Sequence, residues 1–234
     1  MGAATAERFA ALGATVVLLA RRADRLTDIV ARIQANGGTA LALPVDVTDA
    51  AAVQAAADQI QADFGGADLV FNNAGVMLFN AAEALDAATA AREIDLNVKG
   101  LTNVVAAFAP QLVKAAEERG IADLINTSSV GATSVLAAFS VYAGTKAYVS
   151  HLTRNLRAEL GAKKVRVSVI EPGLVDTELS DHLGNAQAQE AVEGFKKVMV
   201  LQPEDIAQTV SFIASLPAHV NLPHVGILPT GQPA

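Results

Sequence analysis

Short runs of Val, Ile, Leu and Ala, bounded by Gly, Pro or Asp, alternate along the chain with longer Ala-rich stretches whose apolar residues recur at helical spacing. The runs at Thr15–Ala20, Thr39–Val45, Asp68–Phe71, Ile121–Thr127, Val165–Ile170 and Val225–Leu228 predict strands. They are apolar almost throughout rather than at every second position, which suits strands covered on both faces. Helices are predicted at about residues 3–12, 23–35, 49–63, 81–91, 93–119, 141–160 and 203–215. Several carry end signals. Asn36-Gly37-Gly38 can supply a left-handed cap, Thr48-Asp49 an N-cap, and Pro203-Glu204-Asp205 a first turn with acids at the positive end of the helix dipole. Strand and helix in alternation predict an α/β fold with a doubly wound parallel sheet. No repeat, low-complexity linker or charge block interrupts it, so residues 1–234 are read as one domain.

Composition narrows the function classes. A chain of 234 residues with 52% hydrophobic and 18% charged residues lies far from the disordered corner. A net charge of -7 argues against nucleic acid, which calls for a clustered positive face. The absence of cysteine removes disulfides, thiolate zinc sites, iron–sulfur clusters and cysteine nucleophiles. The apolar runs are too short to span a bilayer and no basic-then-apolar leader opens the sequence, so a cytoplasmic protein without membrane partner is expected. His151, His182, His219 and His224 form no metal-ligating spacing, and no metal is expected.

Tyr142 and Lys146 stand four apart in a predicted helix, so both side chains project from one face. A phenol near pKa 10 is a poor base at neutral pH, and a neighbouring ammonium is expected to lower it to roughly 7–9. Such a group could both donate and accept a proton. A half-buried aromatic beside a solvated lysine is the bland alternative, and the pair alone does not exclude it.

The wider pattern is more specific. Asn72-Asn73-Ala74-Gly75 after a strand, Asn97 in Asp95-Leu96-Asn97-Val98-Lys99-Gly100, Ser129 thirteen residues before Tyr142, Lys146, and Pro172-Gly173-Leu174-Val175-Asp176-Thr177 occur in the order and spacing of the short-chain dehydrogenase/reductase family, which the chain resembles from Gly2 to Gln232. The resemblance implies a Rossmann-like fold and an oxidoreductase that passes hydride between a nicotinamide and a small alcohol or ketone. It casts Tyr142 as general acid and base, Lys146 as the group that lowers its pKa and holds the ribose hydroxyls, and Ser129 as a donor to the substrate oxygen. Asn97 would anchor a water relaying protons through Lys146.

The same resemblance implies a dinucleotide site. Asn73, Ala74 and Gly75 would line its adenosine side, Asp46 would accept the adenine amino group, and Tyr142 and Lys146 would reach the nicotinamide ribose. Pro172, Gly173, Val175 and Thr177 complete the set, the last two holding the pyrophosphate and carboxamide. At the position where the family places an acid for the ribose 2'-hydroxyl stands Ala20; Arg21 and Arg22 follow, with no carboxylate expected to repel a phosphate. NADP is therefore expected over NAD.

One part of the pattern is not met. The family's first strand and glycine-rich turn should precede the helix at residues 3–12, and Gly2 alone matches that turn. Two outcomes are open: a start upstream of Met1, or a form with a rearranged sheet centre that binds cofactor weakly and acts as a binding or interaction module. Substrate choice is expected from residues 176–202, a lid in the family, and from Met77, Val130, Leu136, Phe139 and Leu179. The ending, Leu216-Pro217-Ala218-His219-Val220-Asn221 and Pro229-Thr230-Gly231-Gln232, resembles the bacterial branch with 3-hydroxy acid and serine 3-dehydrogenases and clavulanate dehydrogenase, so a small polar alcohol or ketone is expected. Family members associate through the helices carrying Asn97 and Tyr142, implying a homodimer or homotetramer. Leu101, Val104, Val105 and Phe108 fit either such an interface or the core.

Overall fold

The computed structural model describes residues 1–197 and 200–232. Helix α1 (Gly2–Ala11) leads into strand β1 (Thr15–Ala20), followed by α2 (Ala23–Ala35), β2 (Thr39–Pro44), α3 (Ala50–Phe64) and β3 (Leu69–Asn72). Then come α4 (Ala87–Ile94), α5 (Leu101–Arg119), β4 (Ala122–Thr127), α6 (Ser140–Leu160), β5 (Val165–Pro172), α7 (Ala186–Lys196), α8 (Pro203–Ser215) and β6 (His224–Ile227). The predicted strands are all present to within two residues at either end. The expected caps form: Asp49 accepts from the amides of Ala51 and Ala52, and Gln202 and Asp205 make a reciprocal capping box behind Pro203.

Two helical boundaries differ from expectation. The break foreseen near residue 92 is absent, because a π-turn over Asp95–Gly100 carries α4 into α5 without interruption. Conversely, residues 176–202, which showed no clear period, contain a short 3₁₀ turn at Glu178–His182 and then α7.

Every strand pair is parallel, but the sheet is in two pieces. β1 pairs with β2, and β3, β4, β5 and β6 pair in that order. No described strand joins β1 to β3. A cavity of about 1650 Å³ opens between them, lined along one side by Thr15–Ala20 and on the other by Leu69–Asn72. This is the discontinuity expected from the unmatched first strand, and it leaves both facing ladders without a strand partner among the described residues.

β4 and β5 are buried along their whole length and carry the main core between α3, α5 and α6. Leu101, Val104, Val105 and Phe108 are buried in that core, which settles the alternative left open above: their apolar surface is spent within the chain. A buried ion pair crosses the same strands. Arg166 on β5 donates two hydrogen bonds to the Asp123 carboxylate on β4, at 2.8 and 2.7 Å, and others to the carbonyls of Ala214 and Leu216 at the end of α8. No described helix is long and apolar enough to cross a membrane.

Candidate active site

The strand ends set the geometry. β4 ends at Thr127 and turns through Ser128 and Ser129, whose hydroxyl accepts from the Gly131 amide and caps a 3₁₀ turn; α6 then begins at Ser140 and presents Tyr142 and Lys146 one helical turn apart. Both are buried, at 5% exposure each. The Lys146 Nζ lies 5.7 Å from the centre of the Tyr142 ring and donates to the Thr127 carbonyl at 3.0 Å. Ser129 and Tyr142 flank the same glycine: a Cβ added at Gly131 would lie 3.4 Å from the Ser129 hydroxyl and 3.6 Å from the Tyr142 ring edge.

Asn97 occupies the π-turn and reaches the same place from the other side. Its amide accepts from the Val76 N–H at 2.8 Å, and donates to the Val76 carbonyl at 2.9 Å and to the Thr145 hydroxyl at 3.0 Å. These bonds tie the side chain to the Val76 segment on one side and to α6 on the other. A Cβ on Gly75 would stand 3.3 Å from Asn97 Oδ1 and 3.4 Å from Lys146 Nζ, so the two polar groups converge on that glycine. Glu93, one turn before Asn97 and fully buried, accepts from the Leu78 amide and fastens the next residues of the same segment.

Electrostatics depart from the sequence expectation. Burial raises the Tyr142 phenol above its ordinary value, with the Ser129 hydroxyl acting in the opposite direction and the Glu93 charge adding to the rise. The expected lowering by Lys146 is absent. The reason is mutual burial: desolvation dominates at both groups, raising the phenol and pushing the lysine's own pKa down to about 8.

This has a consequence for stability. A lysine that holds its proton less tightly when folded penalises the fold most where both states are charged, below about pH 8, and the penalty fades as pH rises toward the ordinary 10.5. Lys146→Met should therefore stabilise the protein at pH 7 by up to about 3 kcal/mol, the fall from 10.5 to about 8 taken at ~1.4 kcal/mol per pKa unit. The gain should shrink toward nothing above pH 10. Urea unfolding at the two pH values measures it.

The same cavity that separates β1 from β3 extends to this group. It is lined by Gly2, Arg21, Arg22, Asp46, Asn73, Ala74, Gly75, Ser129, Tyr142, Lys146, Pro172, Gly173, Val175 and Thr177. Of the expected site residues only Asn97 lies behind its wall. Met77, Val130, Leu136 and Leu179 also line it, whereas Phe139 does not: its ring packs edge-on against Phe79, 5.9 Å between centroids.

Three features suit a dinucleotide. The cavity runs from the arginines after β1 to Tyr142. Asn73, against which Gly2 packs so closely that a Cβ would come within 2.9 Å of its Nδ2, has a buried Oδ1 without a hydrogen-bond partner. Gly75 leaves backbone open beside Lys146. At the pyrophosphate position the fit is thinner, with Gly2 at the start of α1 as the matching glycine.

The arginines are not free of carboxylates, contrary to the sequence expectation. Asp46, whose Oδ1 accepts from the amide and hydroxyl of Thr48, lies 4.0 Å from Arg21, and those two bonds lead in holding its carboxyl below the usual range. Glu178, brought back by the 3₁₀ turn after Thr177, pairs with Arg22 at 3.1 Å and with Arg25. Sequence reading missed both Arg25 and Glu178: they lie 153 residues apart, and no local pattern links them.

A parallel α/β sheet with a serine, tyrosine and lysine gathered at its strand ends beside a long cavity defines a nucleotide-dependent oxidoreductase. Residues 1–188 match the short chain dehydrogenase family model, and the chain belongs to that family. It is 35% identical to a probable NADP-dependent dehydrogenase of Haemophilus influenzae, over 99% of this chain and 90% of that protein. Identity to the serine 3-dehydrogenase of Agrobacterium fabrum is likewise 35%, with the same coverage. Among solved structures, the closed form of a serine dehydrogenase complexed with NADP+ superposes with a TM-score of 0.90 at 31% identity, covering all of this chain and 92% of that one.

Proposed function

We propose that this protein is an NADP(H)-dependent oxidoreductase acting on a small polar alcohol and its carbonyl partner, with Tyr142 as the acid–base group. The observation that carries the reading is the burial of Tyr142 between Ser129 and Lys146 on the wall of the large cavity. Relatives described as NADP-dependent, and as acting on serine, sulfoacetaldehyde or 3-hydroxy acids, support the cofactor and the class of substrate.

When bound, NADPH supplies the hydride. The chain's own residues do the rest. The Tyr142 phenol gives its proton to the carbonyl oxygen as that oxygen becomes an alkoxide, and takes one back in the oxidative direction. The Ser129 hydroxyl donates to the same oxygen. Lys146 supplies positive charge beneath the phenol ring, and Asn97 with Glu93 holds the Val76–Leu78 segment that brings Met77 to the cavity. Residues 198 and 199 of the expected lid lie outside the described residues; its described part, with Leu179, His182, Val192 and Lys196 on the cavity wall, serves as the cover over the substrate end.

A second reading, binding of the dinucleotide without turnover, is favoured by the discontinuity between β1 and β3. Mixing the protein with NADPH and a panel of small hydroxy-acid-derived aldehydes and ketones separates the two. Loss of reduced-nicotinamide absorbance is expected. Tight NADPH binding with no loss on any of the panel would favour the second reading, and no binding would overturn both.

A further inference from the structure

The expected phosphate-binding arginines hold an anion of the chain's own. Glu178 accepts hydrogen bonds from Arg22 and Arg25 through separate carboxylate oxygens, so the carboxylate sits between two guanidinium groups at the start of α2. We propose that Glu178 occupies the seat of the adenosine 2'-phosphate and must leave it when NADPH binds, and that Arg25 acts with Arg22 as the pair selecting the phosphorylated cofactor. The inference rests on the NADP(H) reading above and adds two specificity-determining residues to it.

Chemistry supports the exchange. A carboxylate and a phosphate monoester are both oxyanions that guanidinium groups grip with parallel N–H donors, and the phosphate brings more charge and a third oxygen. No other acid competes for the seat from β1, because the strand ends in Ala20. Arg21 faces a different partner, Asp46. The pairs with Glu178 are exposed, with roughly half of each side chain accessible, so water screens them and a ligand can displace them.

Glu178 also connects this corner to the substrate end. It opens the 3₁₀ turn whose Ser180 bonds Glu193 and Lys196 of α7, while Lys196 reaches back to the Thr177 carbonyl. Leu179, His182, Val192 and Lys196 line the cavity shared with Tyr142. A phosphate that evicts Glu178 thereby releases the first residue of the 3₁₀ turn that leads into α7.

NADH has no 2'-phosphate and leaves Glu178 seated. Removing the carboxylate should then favour NADPH alone. Binding of NADPH, NADH and adenosine 2',5'-bisphosphate to the wild type, Glu178→Gln and Arg25→Gln, read by calorimetry without any substrate, tests this. Glu178→Gln is expected to tighten NADPH and the bisphosphate about three- to tenfold, the worth of the two exposed ion pairs it breaks, with NADH unchanged within about twofold. Arg25→Gln is expected to weaken the two phosphorylated ligands by a similar factor and spare NADH. Equal tightening of NADPH and NADH in Glu178→Gln, or weaker NADPH binding there, would overturn the inference while leaving the cofactor reading intact. Failure of the wild type to bind NADPH or the bisphosphate would overturn both.

Discussion

Tyr142→Phe is expected to lower turnover by roughly 10²- to 10⁴-fold, the range supplied by a positioned general acid, while NADPH binding stays within about twofold. Phenylalanine keeps the ring that Lys146 faces at 5.7 Å and removes only the hydroxyl, so the packing of α6 is preserved. Stopped-flow or steady-state absorbance of the reduced nicotinamide gives the rate, and calorimetry the affinity. A variant with wild-type turnover would remove Tyr142 from the mechanism. The pH dependence has a definite sign. Burial raises the phenol's pKa, so the protonated acid needed for carbonyl reduction persists through neutral pH. Reduction should therefore be flat up to mildly alkaline pH, and alcohol oxidation, which needs the phenolate, should rise with pH across the same interval.

The largest effect on stability is expected at Arg166. Its side chain is 4% exposed and its partner Asp123 9%, and the pair is bidentate. Arg166→Met would strand a buried carboxylate and leave the carbonyls of Ala214 and Leu216 without their donor, at a cost of about 3–5 kcal/mol. Burial already pushes the Asp123 carboxyl up, with Arg166 opposing it. Without the arginine, that carboxyl should rise further and the folded state should take up a proton. The deficit should accordingly be greatest at neutral pH and smaller in acid, where the unfolded chain is protonated too. Adding Asp123→Leu should recover most of the loss, since an apolar pair leaves no unpaired charge. Denaturant unfolding of the two single variants and the double variant tests both statements.

Local features were legible because they depend on neighbours in sequence. The run Thr15–Ala20 and the amphipathic 23–35 segment became β1 and α2 with the expected bounds, because strand pattern and helical period are short-range properties. The pairing of Tyr142 with Lys146 on one face follows from a single helical turn. The π-turn at Asp95–Gly100 was hidden because a helix with one wide turn keeps nearly the same apolar period as one without. α7 was hidden in a segment of mixed polarity.

By itself the sequence determined an α/β alternation, a family motif set, and the residues from which a dehydrogenase site could be assembled. Only the tertiary structure decided that Glu178 meets Arg22 and Arg25, that Asn97 holds the Val76 backbone, and that Tyr142 is shifted up instead of down. The physical reason is range. Periodicity and helix spacing are set by bonds a few residues long, whereas pKa values and ion pairs are set by burial and by charges brought together from opposite ends of the chain.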